Sequence, residues 1–145
     1  MFERIAQNVR KQGIPAHKTV ISAGLYYDGT QHGELFDAVL ISIDKTETDY
    51  NRRPIERAIK QAIRNKDGIT FRPQEYNPYY YTYWIARAAD FERADRLNRI
   101  SRAYLDGFWQ AIHDHGDAAR ANNAAIAIEA GHAAMQAAGI EPITA

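Results

Sequence analysis

Four cations recur along one short stretch at helical spacing: Arg53, Arg57, Lys60 and Arg64. At about 100° per residue they fall within about 60° of one another, while Ile55, Ala58, Ile59, Ala62 and Ile63 lie opposite. Such a segment buries its aliphatic side and presents a basic stripe to solvent. A guanidinium bonds phosphate or carboxylate bidentately, so a stripe richer in Arg than Lys suits an anionic partner. Arg outnumbers Lys 13 to 5 in the whole chain. Just downstream stand Tyr76, Tyr79, Tyr80, Tyr81, Tyr83 and Trp84. Aromatics beside cations are what single-stranded nucleic acids use, with bases stacked and phosphates paired. Tyr, Trp and Arg are equally the residues that anchor protein interfaces. The plainer alternative is a solvated helix face next to strand aromatics that fill the core. Tyr76, Tyr80 and Trp84 are the aromatics assigned to the candidate surface, together with the four cations.

Two other groupings have the residue types for chemistry. His113-Asp114-His115-Gly116-Asp117 combines imidazoles with carboxylates, and His113, His115 and Asp117, with Glu129 or His132, could hold a divalent metal for hydrolysis. Two histidines at a helix end and an aspartate capping the next helix account for the same letters without a metal. His32 with Glu34 or Asp37 forms a possible acid/base pair in a glycine-flanked loop, which an ordinary turn also explains. Walker A, GxGxxG and GxSxG patterns are missing. No cofactor is implied.

The formal charge is zero, from 18 basic and 18 acidic residues, but it is divided along the chain. Residues 21–50 carry six acids and one base, and residues 51–72 carry seven bases and two acids. Overall neutrality argues against a dedicated duplex-DNA binder, whose affinity rests on neutralising many phosphates. The division fits either a partner-facing dipole or internal pairing between the two segments. Cysteine is absent, which excludes disulfides, thiolate nucleophiles and Cys-based metal centres. At 145 residues and 46% hydrophobic content the chain has the length and composition of a single globular domain, residues 1–145. No apolar run reaches the roughly 20 residues of a membrane span, and Met1–Arg4 does not resemble a secretory signal, so a cytoplasmic location is expected.

These residues need a scaffold, and periodicity supplies it. Residues 1–12 read as an amphipathic helix burying Phe2, Ile5, Ala6 and Val9, stopped by Gly13 and Pro15. Residues 19–27 and 35–44 read as two strands joined by a connection, 28–34, longer than a two-residue turn, with apolar residues on both faces. A helix begins near Pro54 and runs to about Asn65. Residues 69–72 and 79–86 read as strands. A long helix over 90–113 carries a wide apolar arc that includes Phe91, Tyr104, Phe108 and Trp109. An alanine-rich helix follows to 138, whose Ala127 and Gly131 stripe serves either packing or a homodimer. The expected fold is α+β, in the order α-β-β-α-β-β-α-α, with a small, mainly antiparallel sheet covered by the long helix and the C-terminal alanine-rich helix. The expected function is non-enzymatic: occupation of an anionic surface, either nucleic acid or a protein that handles nucleic acid. An inhibitor or accessory factor of phage or mobile-element type, acting purely by protein contact, is the neighbouring possibility.

Overall fold

The computed structural model describes residues 1–27, 30–49, 51–74 and 77–140, and the side chains of these except at 26, 27, 30–32 and 117–123. The fold is α+β. Its elements are α1 (Phe2–Arg10), β1 (Ala16–Tyr27), β2 (Thr30–Asp44), a 3₁₀ turn (Lys45–Thr48), α2 (Arg53–Ala62), β3 (Ile69–Pro73), β4 (Tyr80–Arg87), α3 (Ala88–His115) and α4 (Asp117–Ala137). The strands form one antiparallel sheet in the order β1-β2-β4-β3. The register places Leu40 opposite Trp84, Ile43 opposite Tyr81 and Phe71 opposite Ile85.

The chain divides into two compact units. The first comprises Met1–Ile21 and Leu35–Glu92. Its core lies on one face of the sheet, where Ile5, Ala6 and Val9 of α1 and Ile55, Ala58, Ile59 and Ala62 of α2 pack on Val39, Ile41, Ile43, Tyr81, Tyr83 and Ile85. Both helices bury the residues that a 3.6-residue period selects. Each fully buried isoleucine contributes about 1.5–3 kcal/mol relative to exposure. On the opposite face of the same strands Ala38, Ala86 and Phe91 form a smaller cluster against Ile21 and Trp84. Ala38 and Val39 thus bury opposite faces of β2, as expected for a strand apolar at odd and even positions.

Helix α2 has identifiable ends. The Asn51 side chain accepts from the Arg53 backbone N–H at 3.0 Å, and Pro54 occupies the first turn, where no intrahelical donor is needed. Asn65, with φ of 64°, then takes the left-handed conformation that turns the chain away, so regular helix stops at Ala62 rather than near Asn65.

The second unit comprises Ser22–Glu34 and Arg93–Ala145. Leu25, Tyr104 and Met135 form its core, with Ile100, Leu105 and Phe108 packed around them. Close approach of α3 and α4 depends on two glycines. A Cβ at Gly107 would lie 2.5 Å from the Ala130 carbonyl oxygen, and one at Gly131 would lie 2.5 Å from the Tyr104 ring.

Three expectations need correction. β2 begins at Thr30, so only two positions separate it from β1, not the seven-residue connection expected. Gly33 resembles a loop glycine in sequence, but it sits in the strand because a Cβ there would come within 2.9 Å of the Ala23 carbonyl oxygen. The Ala127 and Gly131 stripe, offered as a homodimer face, is buried within the second unit: Ala127 is inaccessible, and Gly131 faces Tyr104. Trp109, expected within the buried arc of α3, is 57% exposed and stands edge-on to Phe108. Among the described residues, no helix is long and apolar enough to cross a membrane.

Candidate binding surface

Helix α2 holds its cations where its buried face leaves them. With Ile55, Ala58, Ile59 and Ala62 against the sheet, Arg53, Arg57 and Lys60 are exposed on the outer side, and Arg64 is exposed in the turn that follows. None of the four has an ion-pair partner among the described residues. Among the described residues, two acids of the preceding segment are engaged, whereas Glu47 and Asp49 carry no ion pair. Glu34 pairs with Arg93 in the second unit. Asp44 accepts from the Thr46 hydroxyl at 2.7 Å and the Thr46 backbone N–H at 2.9 Å. Those two bonds, the hydroxyl's foremost, hold its carboxyl below the ordinary carboxylate range.

The aromatics divide between the two faces of β4. Tyr81 and Tyr83 point to the α1/α2 side and are buried. Tyr80 is 43% exposed and, with Trp84, points to the other side, where Trp84 packs beside Ala86 and Phe91. The Arg72 guanidinium lies 4.6 Å from the Phe91 ring centroid in the same region. Tyr80 and Trp84 therefore do not share a face with the α2 stripe, because alternate residues of a strand project oppositely. Tyr76 lies outside the described residues.

Other cations do meet aromatics on the α2 side. Lys45 Nζ lies 5.2 Å and the Arg52 guanidinium carbon 5.0 Å from the Tyr81 ring centroid, within cation–π range. Behind it, Tyr83 has a fully buried hydroxyl without a hydrogen bond of good geometry. Burial raises its pKa to about 12, with the nearby Glu56 charge adding and the Arg52 charge opposing. Tyr79 is 72% exposed, and the Asn77 side chain accepts from the backbone N–H groups of both Tyr79 and Tyr80. Lys45, Arg52 and Tyr79 were not assigned to the surface from sequence. Lys45 and Arg52 both precede the stripe in sequence and meet at the Tyr81 ring only in the folded chain.

Beside the stripe is a groove of about 410 Å³. One wall is the Gln12–Ile14 turn after α1, another is Glu47–Asp49, and the third is the first half of α2, including Arg57. Ile14, Ile43 and Ile55 make its floor apolar. The Gln12 side-chain amide donates to the Ala58 carbonyl at 3.2 Å, which ties the first wall to the third. A second recess, of about 510 Å³, is lined among the described residues by Asp95, Asn98, Arg99 and Arg102 of α3 and has no such apolar floor.

The other candidate groups do not converge. α3 continues through His115, so His113 and His115, two residues apart, project to different sides of the helix. Both are exposed, and Asp114 accepts from the Gln110 amide at 2.9 Å. The Asp117 side chain lies outside the described residues. Asp117 is the first residue of α4, with Gly116 in the cap position assigned to it from sequence. His132 packs against Tyr104, with ring centroids 5.8 Å apart. Among the described residues, no three His, Asp or Glu side chains gather closely enough to hold a metal. The His32 side chain is outside the described residues, and Asp37 is exposed. The chain matches no protein-family model, no curated protein and no solved structure.

Proposed function

We propose that this protein acts by occupying an anionic surface, that of a nucleic acid or of a protein that handles nucleic acid, with the outer face of α2. The observation that carries this reading is the row of Arg53, Arg57, Lys60 and Arg64, exposed and without an ion-pair partner among the described residues. At 1.5 Å per residue the helical part of the row, Arg53 to Lys60, spans roughly 10 Å, the axial length of about three phosphates of one strand. A rigid scaffold supports it, since the opposite side of α2 is locked into the core by four buried residues. Exposed cations with no internal partner keep their full charge available for association, which steers an anionic partner and fixes its register.

Arg57→Glu/Lys60→Glu tests this. Both side chains are exposed, so the fold should be retained while binding to an anionic partner is lost. A double variant that binds labelled single-stranded and double-stranded oligonucleotides and acidic protein probes as well as the parent would reject the reading.

A further inference from the structure

We infer that the groove beside α2 receives an apolar side chain from a protein segment that places an acidic residue on the α2 side and a basic residue on the 3₁₀-turn side. This rests on the proposed role of α2 and narrows its partner to a protein.

The walls of the groove carry opposite charge. Arg57 stands on the α2 wall, on the same helix as Arg53 and Lys60, whereas Glu47 and Asp49 stand on the wall formed by the 3₁₀ turn and its end. None of Glu47, Asp49 and Arg57 has an ion-pair partner among the described residues, so charges of both signs remain available to a visitor. Between them the floor is formed by Ile14, Ile43 and Ile55, each under 10% exposed. A volume of about 410 Å³ accommodates one large side chain with its flanking backbone. A phosphate chain satisfies the α2 wall but is repelled by the two carboxylates that also line the groove and leaves the apolar floor empty. A polypeptide with the order acid–apolar–base satisfies all three surfaces at once, and like charges reversed against the walls would cost affinity. The aromatic placement points the same way: with Tyr80 and Trp84 on the other face of β4, the stripe lacks those two aromatics for base stacking.

The test is selection of a random dodecapeptide phage library on the intact protein, scored against two variants. Thr48→Trp fills the groove without altering any charge, and Glu47→Lys inverts one wall without filling it. The expected result is enrichment of an apolar residue flanked by an acid on one side and a base on the other. Synthetic peptides of that consensus should lose at least tenfold in affinity to each variant, each shown to be folded by circular dichroism. Enrichment of polyacidic peptides that bind Thr48→Trp undiminished would overturn the groove assignment while leaving the α2 stripe in place. Absence of any enriched sequence, with oligonucleotide binding that Arg57→Glu/Lys60→Glu abolishes, would equally overturn it and assign α2 to nucleic acid. Binding that survives both the groove variants and the α2 reversal would remove both readings.

Discussion

Gly107→Ala sets helix propensity against packing, with opposite signs. In an exposed helix this substitution stabilises by about 1 kcal/mol, because alanine loses less backbone freedom than glycine. At Gly107 the new Cβ would lie 2.5 Å from the Ala130 carbonyl oxygen and 2.6 Å from the Ala134 Cβ, nearly an ångström inside ordinary contact. Neither obstacle is the end of a flexible side chain, so relief requires α4 to move off α3. That movement would loosen the contacts around Tyr104 and Met135. Overpacking of this kind costs about 1–3 kcal/mol, and against two rigid neighbours the upper part of that range applies, leaving a net destabilisation of about 2 kcal/mol after the propensity gain. At Gly131 the obstacle is the Tyr104 ring, which can tilt, so Gly131→Ala should cost less. Urea denaturation followed by far-ultraviolet circular dichroism measures both, with Ala133→Gly at an exposed α4 position as the propensity control. A Gly107→Ala variant as stable as the parent, or more so, would refute the close helix contact.

Three further outcomes are expected. Tyr83→Phe should fold normally, because the buried hydroxyl it removes has no well-formed hydrogen bond. Since burial raises the Tyr83 pKa to about 12, the folded state retains this proton after the unfolded state has lost it. The resulting stability is full below about pH 10 and declines as pH rises toward 12, so Tyr83→Phe should show a shallower alkaline limb in thermal melts. Asp44 has the opposite linkage: its lowered pKa contributes stability above about pH 4 that is lost as pH falls through the folded value, and Asp44→Asn should flatten that acid limb. His113→Ala/His115→Ala should leave probe binding unchanged, with at most a small loss of thermal stability from the end of α3; loss of probe binding would return the histidine pair to the functional account.

The helices were the most legible part of the chain. Each of α1 and α2 has one buried side, and a 3.6-residue period identifies Phe2, Ile5, Ala6 and Val9, and Ile55, Ala58, Ile59 and Ala62, without reference to any other element. The exposed stripe of α2 followed by subtraction. Strand aromatics were harder, because the rings of Tyr80, Tyr81, Tyr83 and Trp84 fall on both parities and alternation cannot say which parity meets which helix. The extent of β2 was hidden by Thr30–Glu34, polar residues with a glycine that resemble a loop until Gly33 meets Ala23 on the neighbouring strand. Trp109 reads as core by type and spacing, yet it stands exposed, edge-on to Phe108. The groove was beyond reach, since Gln12, Ile43 and Arg57 share its lining only through tertiary packing.

The most direct test of the α2 surface is the slope of log affinity against log salt concentration for a single-stranded oligonucleotide used as a polyanionic probe. Four cations contacting phosphate predict a slope near −3, and neutralising Arg57 and Lys60 to alanine should reduce its magnitude by about 1.4. A slope near zero for the oligonucleotide and for an acidic peptide alike, or one that the double substitution leaves unchanged, would contradict the assignment of α2 as the binding face.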